Sequence, residues 1–212
     1  MINISSQQLL LNFPSYPEFN FSNFVVSEGS RIAFETAKEF CTVNPAPYQA
    51  LYLFGQKNLG KTHLLLSIGN HAAENGLRAV CMQGQDFIDK IGEDLSSKAL
   101  QTLEQLLHVD FFLMDNVENL ANSPKAQEKL YHVYNQIIEK GGRLAFTASL
   151  PPDKILAMES YLTSRFQWGM VAEIKPIDDA TTAKIILKLA KDINLTLPES
   201  IVQFMLSRIP RD

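Results

Sequence analysis

The chain has 212 residues, a hydrophobic content of 46% and a net charge of −4. That length gives one large domain, or one domain with a small appendage, and the apolar share is enough for a sizeable core. The acidic balance argues against a nucleic-acid role resting on bulk positive charge, though it leaves room for a local basic patch.

Two cysteines, Cys41 and Cys81, stand forty positions apart without a C-x-x-C, and read as reduced thiols. His63, His71, His108 and His132 show no metal-ligand spacing. The start lacks the cationic and long apolar regions of a secretion signal, and no window is long and apolar enough to span a membrane. The expected location is the cytoplasm.

The first segment, residues 1–17, holds QLLLNF (Gln8 to Phe13), an apolar run ahead of any helix or strand pattern. Either it packs on its own domain or another protein binds it. Pro14 and Pro17 then break structure, and FNFSNFVV follows. Ser27 is placed to cap a helix through SEGSRIAFETAKEF. ALYLF (Ala50 to Phe54) is a continuous apolar run, as in a buried strand, and ends at Gly55. KTHLLLSIGNHAAE reads as a helix and LRAVCM as a strand. QDFIDKI and SKALQTLEQLL supply one or two helices.

VDFFLMD (Val109 to Asp115) is a second fully apolar run, ending in an acid. PKAQEKLYHVYNQIIEKGG has Pro124 near a helix start and Gly141 after its end. RLAFTAS is a strand, PPDKILAMESYLTSRF is expected to be mostly helical, and VAEIKP is the last strand. Strands alternating with helices over residues 18–177 predict an α/β fold, a parallel sheet covered on both faces. From Asp178 the pattern is helical only, which predicts a small second unit over residues 178–212.

Gly55-Gln-Lys-Asn-Leu-Gly60-Lys61-Thr62 is G-x-x-x-x-G-K-T, set between an apolar strand and a helix. Glycines let the backbone wrap closely, so that N–H groups and the helix N-terminus face phosphate oxygens. Lys61 is expected at the β- and γ-phosphates and the Thr62 hydroxyl on Mg²⁺. A chance match in a chain this long is on the order of one per cent.

Asp115 ends its strand where a Walker B acid holds Mg²⁺ through water. The next position, where a carboxylate orients attacking water, holds Asn116, which cannot accept a proton. Slow turnover in isolation is expected. Glu118 could substitute, but a solvated loop acid is the preferred expectation. Thr147 and Ser149 close the strand RLAFTAS; either they sense the γ-phosphate or they satisfy strand-end backbone. Arg165 in LTSRFQWG is either a surface residue with a packed stem or an arginine finger reaching a neighbouring nucleotide.

Together these segments resemble the DnaA-type AAA+ family, and within it the Hda-type regulators that switch the initiator off. FNFSNFVVSEGSRIAFETA, YLFGQKNLGKTHLL, FFLMDNVENL, FTASLPP and LTSRFQWGM follow one another as in that family, over almost the whole chain. The resemblance implies a P-loop AAA+ domain with a small helical lid, incomplete here. It places Phe24 and Val25 near adenine, and Gly55, Asn58, Leu59, Gly60, Lys61, Thr62 and His63 around ADP or ATP. Mg²⁺ falls to Thr62 and Asp115, sensor 1 to Thr147 and Ser149, and the finger in trans to Arg165.

Regulators of this type have Asp-Asn in Walker B, as Asp115-Asn116 do, and no helix-turn-helix domain is expected here. They also carry a sliding-clamp motif, Gln-Leu-x-Leu-x-apolar, which Gln8, Leu9, Leu11 and Phe13 fit. The implied partners are the clamp, DnaA, and DNA through the clamp, with self-assembly left open. By register the sensor 2 arginine falls just past Asp212, beside Arg208 and Arg211. The rival readings are a self-sufficient ATPase and a helicase-loader-like helper binding single-stranded DNA.

Overall fold

The computed structural model describes residues 11–13, 18–42, 47–92 and 97–208. Gln8, Leu9 and Arg211 lie outside them. Six strands form one sheet: β1 (Leu11–Asn12), β2 (Ala50–Phe54), β3 (Ala79–Gln83), β4 (Phe111–Asp115), β5 (Arg143–Ala148) and β6 (Met170–Glu173). Their spatial order is β1-β3-β4-β5-β2-β6. The last five are mutually parallel, and β1 pairs antiparallel with β3 through Leu11 to Cys81 and Asn12 to Val80.

The helices are α1 (Arg31–Phe40), α2 (Lys61–Glu74), α3 (Gly84–Phe87), α4 (Ser97–Leu106), α5 (Pro124–Glu139), α6 (Ser160–Trp168), α7 (Asp179–Asp192) and α8 (Glu199–Leu206). The central strands β2 to β5 are mostly apolar because helices cover both faces. On one face Tyr52, Phe112, Met114 and Phe146 pack with Tyr134 of α5 and Phe166 of α6. On the other, Leu51, Leu53, Phe111 and Leu113 pack with Phe40 of α1 and with Leu64 and Ile68 of α2. Phe13 joins this second core beside Gly69, where a β-carbon would lie 2.2 Å from its ring.

Two local expectations change. The helix expected from Ser27 begins at Arg31, because the Ser27 and Ser30 hydroxyls bond each other 2.9 Å apart and hold a turn ahead of it. The stretch after β5, expected to be mostly helical, has a single 3-10 turn over Pro152–Lys154 and becomes helical again only at Ser160. Gln127 of α5, fully buried, explains this. Its amide donates to Ala157 O at 3.0 Å and accepts from Glu159 N at 2.7 Å, and these bonds hold Ala157 at a φ of 57°. Tertiary hydrogen bonds have outweighed helix propensity there.

Beyond β6 only helices follow among the described residues. Asp178 caps α7 by accepting from Thr181 N at 2.7 Å. No helix among the described residues is long and apolar enough to cross a membrane.

Candidate nucleotide site

Parallel strands direct their C-terminal ends to one edge of the sheet, and the order β3-β4-β5-β2 sets four strand ends side by side there. These ends carry Gln83, Asp115, Thr147 and the loop that opens at Gly55.

The loop from Gly55 to Gly60 turns from β2 into α2. Gly55 has φ 152°, and a β-carbon there would lie 2.2 Å from Ile174 O. Gly60, at φ 95°, would bring a β-carbon within 2.7 Å of the Phe24 ring. Both positions therefore need glycine. Lys61 opens α2, buried, and its Nζ donates to Gly55 O at 2.7 Å and Gln56 O at 2.6 Å. Burial pulls its ammonium below the ordinary lysine range; the carboxylates of Glu118 and then Asp115 oppose this, and Lys57 adds to it. A buried cation held by loop carbonyls, at a helix N-terminus, is a ready site for a phosphate anion.

Asp115 is buried and collects donors from three sides. Thr62 Oγ1 reaches it at 2.9 Å, Gln83 Nε2 at 2.9 Å, and the Thr147 hydroxyl donates to its other oxygen. Thr147 Oγ1 also accepts from Asn116 N at 3.0 Å. Thus Thr62, Asp115 and Thr147, named from three separate motifs, form one cluster. Gln83 belongs to it too and was missed. It pairs with Asp115 in the β3–β4 register, and its only signal was a polar residue closing an apolar strand.

Asn116 sits in the left-handed region at φ 55°, and its Nδ2 donates to Gln83 Oε1 at 2.8 Å. Glu118 departs from the expected solvated loop acid. It is half-buried, and its Oε1 accepts from Ser149 N at 2.9 Å and from the Ser149 hydroxyl. Its Oε2 is buried without a hydrogen-bond partner among the described residues.

Next to the loop lies a cavity of about 270 Å³. Phe24, Val25, Asn58, Leu59, Gly60 and His63 line one side, and Ile185, Lys188 and Leu189 of α7 line the other. The α7 wall was not anticipated, since it depends on how the helical unit packs. Lys188 Nζ donates to Asn23 O at 2.6 Å and ties α7 to the segment carrying Phe24. His63 meets Phe19 and Phe24 edge-on, and its Nε2 contacts Asn20 O at 3.1 Å.

Arg165 lies elsewhere. Five residues after it Met170 pairs with Leu51, toward the start of β2 and away from the phosphate loop. Its guanidinium rests over the rings of Tyr131, Tyr134 and Trp168 at 5.4, 5.9 and 5.2 Å, and its Nε is buried without a partner among the described residues.

The donors fit a nucleotide with Mg²⁺. A side chain at Gly55 would collide with the Ile174 carbonyl and one at Gly60 with the Phe24 ring, so both glycines are needed for the loop's close fit. One hydroxyl and one carboxylate converge beside it, which is the sparse protein contribution Mg²⁺ takes when phosphates supply other ligands. No cluster of three or more His, Cys, Asp or Glu side chains that could hold a metal occurs among the described residues.

Comparison with known proteins gives one consistent result. The family model for the bacterial DnaA ATPase domain matches residues 16–173. The chromosomal replication initiator protein DnaA of Helicobacter pylori (strain G27) is 31% identical over 192 residues, covering 90% of this chain and 42% of the relative. The chain thus spans about two-fifths of that relative's length. Domain III of the replication initiation protein DnaA from Thermotoga maritima superposes with a TM-score of 0.85 at 31% identity, covering 91% of this chain and 82% of that one. AMPPCP-bound DnaA from Aquifex aeolicus superposes with a TM-score of 0.84 at 28% identity, covering 92% of this chain and 62% of that one.

Proposed function

Since this chain belongs to the bacterial DnaA ATPase-domain family, with a P-loop AAA+ sheet and a small helical lid, we propose that it regulates the replication initiator: it docks on the DNA-loaded sliding clamp, holds an adenine nucleotide, and promotes hydrolysis of ATP bound to DnaA. The relative bound to AMPPCP supports an adenine nucleotide in the matching cavity here. Phe24 and Val25 face the base, Lys61 leaves its two carbonyls for the phosphates, and Thr62 with Asp115 hold Mg²⁺. When bound, Mg²⁺ neutralises phosphate charge. The chain turns over its own nucleotide slowly in isolation, and ADP serves mainly to hold one conformation.

The observation that carries this reading is the placement of Arg165. It lies away from its own phosphate loop, packed on aromatic faces that orient its guanidinium. That arrangement suits delivery to a neighbour's nucleotide, here the one on DnaA. A finger of this kind stabilises charge on the transferring phosphoryl group and is worth on the order of 10³ to 10⁵ in rate.

Docking falls to Gln8, Leu9, Leu11 and Phe13. The backbone at Leu11–Asn12 is extended, the form a groove-binding peptide needs. Leu11–Asn12 pairs with β3 and Phe13 packs beside Gly69, so binding to the clamp exchanges that pairing and that apolar contact for contacts on the clamp.

The test is the fate of labelled ATP loaded on DnaA, with the chain added and the clamp present or absent on DNA. Clamp-dependent acceleration is expected, lost in Arg165→Ala, with the clamp dependence lost in Leu11→Ala/Phe13→Ala. No acceleration by a folded, nucleotide-loaded chain would overturn the proposal.

A further inference from the structure

Two polar side chains just after β4, Asn116 and Glu118, turn opposite ways. Asn116 donates to Gln83 at the end of β3. Glu118 is held by the backbone N–H and hydroxyl of Ser149, just past the end of β5. In the sheet β3 lies on one side of β4 and β5 on the other, and β5 is followed by β2, whose end becomes the phosphate loop. Asn116 therefore faces away from the phosphate side, and Glu118 faces it.

Glu118 is also fixed where it stands. Two donors hold Oε1, and Oε2 is buried with no hydrogen-bond partner among the described residues. A buried carboxylate oxygen left without a donor costs stability, and such costs gather at functional sites. The electrostatics agree with this placement. Glu118 is the one carboxylate acting on buried Tyr52 of β2, the strand that leads into the phosphate loop.

We infer that Glu118, held by Ser149, is the water-activating carboxylate of this chain's own nucleotide site, taking the part that Asn116 cannot. The inference rests on the reading of the phosphate loop as a nucleoside triphosphate site, and it goes beyond that reading in supplying a base. In the step it serves, a water oxygen attacks the γ-phosphorus and the water's proton passes to the Glu118 carboxylate. The bond from the γ-phosphorus to the β–γ bridging oxygen breaks, with its electron pair staying on the departing nucleoside diphosphate. The products are the diphosphate and inorganic phosphate. Slow turnover of the isolated chain then reflects the lack of a neighbour's arginine rather than the lack of a base.

The test uses the full chain, with Glu118→Gln and Ser149→Ala. Three quantities are read for each: ADP affinity, affinity for ADP with aluminium fluoride, and the single-turnover rate with ATP. ADP affinity is expected within about threefold of wild type in both variants. Glu118→Gln is expected to lower the single-turnover rate by at least about 100-fold, within the range that general-base catalysis supplies. The same variant is expected to lose the extra affinity for the aluminium fluoride complex, because the attacking water is no longer held. Ser149→Ala keeps one of the two donors and should fall between.

The melting temperature of the empty protein gives a separate readout. Removing a buried, half-satisfied charge should leave it unchanged or raise it, whereas a purely structural Glu118 would lower it. Wild-type rates in Glu118→Gln, tighter triphosphate binding without a rate change, or a wild-type chain that binds ATP without ever hydrolysing it would each overturn the inference. A chain that binds no nucleotide at all overturns the nucleotide reading as well, and so separates the two failures.

Discussion

Replacing Thr147 with valine tests the polar cluster at the strand ends with little change of shape. Thr147 is fully buried, donates to Asp115 and accepts from Asn116 N at 3.0 Å. Valine fills nearly the same volume, so no cavity term enters. What is lost is one hydrogen bond to a carboxylate, worth about 1.5–3 kcal/mol, and one acceptor for a backbone N–H, whose orphaning costs about 1–3 kcal/mol. Asp115 keeps Thr62 and Gln83, each at 2.9 Å, which softens the loss. A net fall of about 3 kcal/mol is expected, and in a chain of this size that lowers the melting temperature by about 6–12 °C. Thermal melts without nucleotide or metal measure it. Thr147→Ser, which keeps the hydroxyl, should lose far less. A Thr147→Val protein melting within about 2 °C of wild type would refute the reasoning.

Acid should destabilise the fold through His63. Burial holds its imidazole below the ordinary 6.5, helped by the charge of Lys188 and opposed by the Asn20 carbonyl. As pH falls through about 6.5 the unfolded chain takes up a proton before the folded one, so stability declines in that window. Urea titrations at pH 7.5 and 5.5 should show a smaller loss in His63→Gln than in wild type. Gly60→Ala combines a φ of 95° with a β-carbon 2.7 Å from Phe24. Strain of about 1–2 kcal/mol is expected, together with a nucleotide affinity at least about tenfold weaker by calorimetry.

The fold class was legible because alternation of apolar runs with helical stripes is a local property, and the burial of all five β4 residues bears it out. The phosphate loop was legible for the same reason, its eight positions being contiguous. Gln83 and Glu118 were not, since their meaning comes from strand order, which places Gln83 beside Asp115 and Ser149 within reach of Glu118. Lys188 and the α7 wall of the cavity needed tertiary packing that no periodicity reports. The region after β5 misled for a related reason: buried Gln127, remote in sequence, spends its amide on Ala157 and Glu159. Arg165 was visible as a residue, yet its nest of three rings was not.

The proposed role of the nucleotide site depends on the loop and cavity holding an adenine nucleotide. Calorimetric titration of the full chain with ADP and with ATP, in Mg²⁺, tests that most directly. One nucleotide per chain is predicted, with binding lost in Lys61→Ala while the variant still melts cooperatively. A folded wild-type chain that takes up neither nucleotide, or a Lys61→Ala chain that binds as well as wild type, would contradict the account.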